Sequence, residues 1–330
     1  MTVSGVSIII CTFNGIQRLG STFDSILELH PGIDRELIIV DNASTEDISG
    51  FCRNYFSNYQ STVDFLVVRE EKPGLAHARV KGIIQARYEY LLFCDDDNEL
   101  FPDYLQLGVR ILDQNPVIGV VGGRGIAKLN GELPDWFEKY QHSFAVGPQK
   151  LKSGMIEAVP GHVYGAGCFF RKSPMLSILQ KGFYPRLSGR SGNSLLSGDD
   201  LEWCWLFQLH GYRIFYDERL NFHHNLSPRR LTQNYYINLK EGTAAGSALL
   251  YAYRTFFKNK NLTESEYLTR YKGESLKNRL RFIKNKVFKK SDNWEDELAM
   301  AILRSRVDSF KSFTIESVNL YKDLKSLFSL

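Results

Sequence analysis

No two cysteines of this sequence stand in a CxxC pair, and the five present (Cys11, Cys52, Cys94, Cys168 and Cys204) are widely scattered. That spacing supports neither a zinc-ligand set nor a disulfide framework. Cys11, Cys94 and Cys204 lie in apolar or aromatic surroundings and read as buried free thiols, which suits a reducing cytosol. A run of roughly 20 apolar residues, as a membrane-spanning helix requires, is missing. The opening MTVSGVSIIICTFNG lacks a basic leader, and its apolar run is too short for a signal segment, so export by that route is not expected. There is no P-loop, no GxGxxG turn and no GxSxG elbow, which weakens the corresponding nucleotide-binding and serine-hydrolase readings. Internal repeats and low-complexity tracts are absent too. The net charge of only +4 gives no reason to expect nucleic-acid binding.

What is present is the composition of an ordinary folded protein: 43% hydrophobic and 24% charged over 330 residues, enough for a sizeable core and one large domain with an extension. Short β-branched runs at Val6–Ile10, Leu37–Val40, Phe65–Val68 and Leu91–Phe93 are continuous rather than alternating, as in strands buried on both faces. Helical patterns lie between them. Leu19, Phe23, Ile26 and Leu27 form one stripe, Ala78, Ile83 and Ala86 a second, and a third helix is expected to open at Pro102. Val117–Gly123 reads as a further strand. Strand and helix alternate, so the first 125 or so residues should build an α/β layer with a mainly parallel sheet. Further on, Val163–Lys172 and RIFYD look like strands, DDLEWCWLFQLHGY like a helix closed by Gly211, and FHHNLSPRRLTQ like a loop. Everything after Tyr235 looks helical.

Ligands of such sheets bind beyond the carboxyl ends of the strands. Polar residues collect there: Thr12, Phe13 and Asn14 after the first strand, Asp41 and Asn42 after the second, and Asp95, Asp96 and Asp97 after LLFC. One or two acids would serve as a helix cap and turn. Three exceed that need, and a magnesium or manganese ion taking one or two carboxylates plus substrate phosphates would give them a partner. Thr12, Asn14 and Asp41 could equally be plain loop residues or one polar wall for a base and ribose. In KPGLAHARVKG, Arg79 is either a solvated arginine or a phosphate or base contact. Asp199 and Glu202 fit a capping box, leaving Asp200 free for proton transfer or for another cap-like duty. His223 and His224 could be hydrogen-bonded loop residues or, as neutral imidazoles, complete a manganese shell.

In this order VSIIICTFN, LIIVDNAST, KPGLAHARVKG, LLFCDDD, GAGCFFRK, GDDLEWCW and HNLSPRRLT resemble the motifs of family 2 glycosyltransferases, the inverting enzymes with the GT-A fold. The resemblance spans about Val3 to Thr232. It implies a Rossmann-like, mainly parallel sheet over residues 1–232, with a nucleotide-sugar half (1–125), an acceptor half (126–232) and a helical C-terminal extension (233–330). It further implies that Thr12, Phe13, Asn14, Asp41 and Arg79 hold the nucleoside, that Asp95 and Asp96 attend to ribose and diphosphate, and that Asp97, with Asp95 and His224, holds Mg2+ or Mn2+. Asp200 would be the base. The donor would be a UDP-sugar first and a GDP-sugar second, the acceptor a saccharide or a lipid-diphosphate-linked one, and the product a bacterial surface polysaccharide. Two other readings stay open: an inactive nucleotide-sugar-binding protein, or a nucleotidyltransferase. Many relatives carry Glu at Asp199, Arg at Leu206 and Asn at Val80.

From Lys258 to Lys290, eleven lysines and arginines face three glutamates, interleaved with aromatic and aliphatic residues. This is either a solvated basic helix or a helix lying on an anionic leaflet. A cytoplasmic protein peripheral on the inner membrane is the expectation. Trp294–Leu330 should be helical and amphipathic, serving homodimerisation or packing on the catalytic domain.

Overall fold

The computed structural model of the chain describes residues 5–57, 64–187, 198–288 and 293–328. The Gly/Ser-rich stretch from Ser188 to Ser197, and Lys289 and Lys290 of the basic run, lie outside these. The chain opens with β1 (Val6–Thr12), α1 (Ile16–Leu27), β2 (Arg35–Asn42), α2 (Ile48–Ser57), β3 (Asp64–Glu70), α3 (Leu75–Gln85) and β4 (Tyr90–Phe93). Next come β5 (Asn98–Leu100), α4 (Tyr104–Gln114), β6 (Ile118–Lys128), the one-turn α5 (Phe137–Tyr140), β7 (Gly154–Met155), β8 (Cys168–Arg171), α6 (Lys172–Gln180), α7 (Asp199–Leu209) and β9 (Arg213–Asn225). Five helices complete it: α8 (Gln233–Ala245), α9 (Ser247–Lys258), α10 (Glu264–Phe288), α11 (Trp294–Ser312) and α12 (Thr314–Phe328).

All nine strands join one sheet in the order β3-β2-β1-β4-β8-β6-β9-β5, with β7 also on β9. The longest ladders, β1 with β2, β2 with β3 and β6 with β9, are parallel; β8 enters antiparallel between β4 and β6. The expected α/β architecture with a mainly parallel sheet and a helical C-terminal region is therefore what the chain adopts.

Side chains of a strand alternate between faces, and β1 divides the core on that rule. Val6, Ile8 and Ile10 pack with Leu19 and Phe23 of α1, Cys52 of α2 and Leu105 of α4. Ile9 points the other way, into a cluster with Ala78 and Ile83 of α3, Met175 of α6, Trp203 of α7, Tyr253 of α9 and Tyr321 of α12. Each fully buried isoleucine contributes roughly 2 kcal/mol by leaving water. Both faces of the central strands are thus covered, which is why their sequences run continuously apolar. The run Phe65–Val68 departs from that expectation: β3 is the edge strand, and its residues are exposed or half-buried.

Four further expectations need correction. Helix α4 begins at Tyr104 rather than Pro102, with Asp103 at the N-cap. The strand expected over Val163–Lys172 is confined to Cys168–Arg171, because Gly165 and Gly167 belong to the turn that precedes it. His223 and His224 are strand residues, not loop residues. They lie in the last third of β9, opposite Glu99 and Asn98 of β5. The capping box at Asp199 does not form: Gly198 is the N-cap and no side chain caps it. Glu202 is instead fully buried and accepts from Arg186 N at 2.9 Å, Leu187 N at 2.8 Å and the Tyr253 hydroxyl at 2.6 Å.

The C-terminal helices are stitched to one another and to the sheet-bearing part. Ser305 and Ser309 of α11 donate to the carbonyls of Glu241 and Ala245 of α8 at 2.7 and 2.6 Å. Trp294 sits 5.7 Å, ring to ring, from Trp136 beside α5. Packing on the sheet-bearing part is thus a role that Trp294 and its helix fulfil. Replacing Glu202 by alanine leaves three donors, two of them buried, without an acceptor. Urea denaturation should show a loss of about 3 kcal/mol, with a matching fall in thermal midpoint.

Candidate functional site

The site lies where β1, β2 and β4 end together, as parallel neighbours must when their registers align. β1 delivers Thr12, β2 delivers Asp41 and Asn42, and β4 runs through Cys94 into Asp95, Asp96 and Asp97. Adjacent carboxylates repel, and burial makes each charge more costly. The structure meets this with a different cation for each acid. Asp96 takes a two-pronged contact from Arg18 of α1, Nε to Oδ1 at 3.0 Å and Nη2 to Oδ2 at 2.6 Å, and the Thr12 hydroxyl donates to it at 2.6 Å. Asp97 receives Arg230 Nη1 at 2.8 Å and faces His224 Nε2 at 3.4 Å. Asp95, the most exposed of the three side chains at 37%, lies 3.6 Å from Arg79 of α3.

These partners set opposite titration tendencies. Burial pushes the Asp96 carboxyl above the ordinary range, and Arg18 offsets only part of that. Burial also acts on Asp97, but His224 and Arg230 outweigh it and hold this carboxyl well below the usual value. Burial pulls the His224 imidazole down, and Asp97 overcomes it, leaving the ring above its ordinary pKa. His224 Nδ1 lies 2.6 Å from the Phe144 carbonyl, which can only accept. Nδ1 therefore carries a proton, and Nε2 presents to Asp97 either a second proton or a lone pair.

That geometry tests the donor set for a divalent cation. A carboxylate oxygen and an imidazole nitrogen face each other across 3.4 Å, the imidazole oriented by a carbonyl behind it. Manganese can take such a pair, and magnesium the carboxylate alone, when water and phosphates complete the shell. The residues fit. Among the described residues no group of three or more His, Cys, Asp or Glu side chains converges as a closed metal cage.

Arg79 links this edge to the start of α7. It is buried, 4.9 Å above the Phe93 ring, paired closely with Asp199 and near Asp95. Burial drives the Asp199 carboxyl up, with Arg79 working against it. One residue on, Asp200 is half-buried. Its Oδ2 accepts from Gly165 N at 3.3 Å and its Oδ1 from Leu201 N at 2.9 Å. A Cβ on Gly165 would stand 2.9 Å from the Asp200 Cβ and 3.0 Å from Arg79 Nη2, so only glycine lets these groups approach. Leu206 is fully buried in the core.

On the other flank, Asn14 adopts φ 47° and its side-chain oxygen accepts from Thr45 N at 2.9 Å and Glu46 N at 3.3 Å. Asp41 accepts from Ser44 N at 2.9 Å and from Arg69 Nη1 at 2.6 Å. Both residues thus shape the turn after β2. Phe13, next to Asn14, is 52% exposed, an aromatic face held out at the strand end.

Most of the site residues read from the sequence are joined by these hydrogen bonds and ion pairs, while Asp200 bonds to the amides of Gly165 and Leu201 and the Phe13 ring stands exposed. His223 lies apart: its partner-strand neighbour is Glu99, and its ring packs 5.1 Å from Phe101. Arg18, Arg230, Arg69 and Gly165 were not singled out from the sequence. Arg18 could have been found one helical turn after Asn14, and Arg230 in the segment that follows His224. Nothing in the local sequence signals that each meets an aspartate 78 or 133 residues away.

Residues 7–178 match the Glycosyl transferase family 2 domain, more than half of the chain. The chain is 23% identical over 219 residues to the poly-beta-1,6-N-acetyl-D-glucosamine synthase of Staphylococcus epidermidis, covering 66% of this chain and 49% of that protein. It spans about half the length of the synthases it matches. It is also 23% identical over 225 residues to the glucosyl-dolichyl phosphate glucuronosyltransferase of Haloferax volcanii, covering 67% of this chain and 69% of that one. Among solved structures, S. aureus TarS 1-349 superposes with a TM-score of 0.52 at 14% identity, covering 98% of this chain and 90% of that one. The mannosyltransferase PcManGT of Pyrobaculum calidifontis, solved with GDP-Man and Mn2+, gives 0.51 at 15% identity over 98% and 74%. The family match, joined to the acidic edge it encloses, shows that the chain belongs to glycosyl transferase family 2, a family of glycosyltransferase enzymes.

Proposed function

We propose that this protein moves a sugar from a nucleoside-diphosphate donor to a saccharide or lipid-linked hydroxyl, with inversion at the anomeric carbon, in polysaccharide synthesis. The observation that carries the reading is the Asp97–His224 pair at the sheet edge, together with a further acid, Asp200, whose hydrogen bonds among the described residues come from backbone amides.

The exposed Phe13 ring and the turn organised by Asn14 and Asp41 would take the base and ribose, UDP first and GDP second. Asp95, Asp96 and Arg79 would border the ribose and diphosphate, and Asp97 with His224 would hold a magnesium or manganese ion. When bound, that ion offsets the charge appearing on the departing diphosphate. Arg230 and Arg18 add fixed positive charge at the same edge. Asp200 accepts the proton of the acceptor hydroxyl. The oxygen forms its bond to the anomeric carbon as the bond to the diphosphate oxygen breaks, and the nucleoside diphosphate leaves with the electron pair. Gly165 N, donating to Asp200 Oδ2, orients the carboxylate for this role. The arginines also answer how three acids coexist before any ligand arrives.

Thermal denaturation with a series of nucleotide sugars, in manganese or in EDTA, names the donor. A matching donor at about 100 times its dissociation constant adds about 2.7 kcal/mol of apparent stability, and EDTA should remove most of that gain. Stabilisation of equal size without metal for every donor would remove the cation from the reading. Asp200→Asn should retain the donor-induced shift and lose turnover by about a hundredfold or more. A variant as active as the parent would show that the base lies elsewhere. Asp97→Asn should instead lose the metal-dependent part of the shift itself.

A further inference from the structure

Helix α10 has a buried side and a bare one. Tyr267, Tyr271 and Asn278 are buried, with the Tyr267 hydroxyl 2.5 Å from Ser317 Oγ and the Tyr271 hydroxyl donating to the Phe310 carbonyl at 2.8 Å. At about 100° per residue these three share one side of the helix. Leu276, Leu280, Ile283 and Val287 fall on the opposite side, within an arc of about 60°. They are 57%, 57%, 55% and 68% exposed. Large aliphatic side chains gathered in a bare row are unlike singly scattered surface residues and call for a covering partner.

Both shoulders of the row are basic. Lys277 and Lys284 lie on one, Lys272, Arg279 and Lys286 on the other, and all are exposed. No acidic residue occurs from Ser275 to Val287. Glu274, half-buried at the near end, lies 3.6 Å from Lys277 and is the one acid at hand on this part of the helix.

The spacing of four, three and four residues is that of a coiled-coil seam, which makes a second copy of α10 the first occupant to consider. The positions flanking such a seam decide partner choice by charge. Here they are Lys277, Arg279, Lys284 and Lys286, so a second copy would set cation against cation along the whole contact. An occupant of opposite charge is required. The outward face of a single helix is convex, with no groove to select a partner's side chain. A fluid surface suits it better: aliphatic tips enter the acyl boundary while lysine and arginine stems reach back to anionic headgroups.

We infer that α10 is a membrane-contact surface that lies flat on an anionic lipid leaflet through Leu276, Leu280, Ile283 and Val287, its basic shoulders gripping the headgroups. The inference is independent of the sugar-transfer reading, because binding to lipid is measured without any nucleotide or acceptor.

The test is sedimentation of the full chain with vesicles of phosphatidylcholine alone or mixed with phosphatidylglycerol, at low and high salt. Binding is expected only with phosphatidylglycerol and should weaken as salt rises. Leu280→Asp with Ile283→Asp should abolish it. Lys277→Gln with Lys284→Gln should weaken it about thirtyfold at low salt, each cation near a charged leaflet contributing about fivefold. Circular dichroism checks that both variants fold, as substitutions at exposed positions should. Absence of binding at low salt, or binding that the Leu280/Ile283 variant retains, overturns the inference. So does a concentration-dependent dimer, in sedimentation velocity without lipid, that the same variant dissolves, since the row would then be a self-contact.

Discussion

Three consecutive carboxylates, two of them buried, can share one sheet edge because three guanidinium groups from distant parts of the chain meet them. Arg79 approaches Asp95, Arg18 grips Asp96 and Arg230 grips Asp97. Removing one partner of such a pair leaves an uncompensated charge away from water, which is far worse than never having made the pair. The pairing therefore ties the geometry of this edge to folding. α1 must pack on the sheet to bring Arg18, α3 must cross to bring Arg79, and β9 must pair with both β5 and β6 before the turn after it can bring Arg230.

Within this frame the three acids have separate surroundings. Asp96 is locked among Thr12 and Arg18, and its tie to β1 braces the loop. Asp97 is shared between a guanidinium and an imidazole whose far nitrogen is fixed by a carbonyl. Asp95 keeps the most contact with solvent. Such division of labour among like residues arises from neighbours and not from the residues themselves, since the side chains are chemically identical.

Much of this was legible in the sequence where local pattern decides structure. Continuous apolar runs announced β1, β2 and β4, the polar residues at their ends announced the cleft, and Gly211 closed α7 where expected. What escaped notice depends on partners far along the chain. β5 is three residues, Asn98 to Leu100, with no strand pattern of its own; it is a strand because His224, His223 and Phe222 lie opposite it. The same pairing turns an expected loop of histidines into the end of β9. Glu202 looked like half of a capping box because Asp199 stands three residues before it. In the fold Asp199 is drawn to Arg79, and Glu202 to two backbone amides and Tyr253. Both departures share one cause: a long-range charge or hydrogen bond overrode a weak local preference.

The placement of Arg79 has a wider consequence. One guanidinium stands between Asp95, on the rim beside β4, and Asp199, the immediate neighbour of Asp200. Any negative group arriving on the first side competes for the same positive charge that steadies the second. The surroundings of Asp95 and Asp199 are thereby coupled, and thermodynamic reciprocity requires the influence to run equally in both directions. A single buried side chain thus makes the two acids electrostatically one.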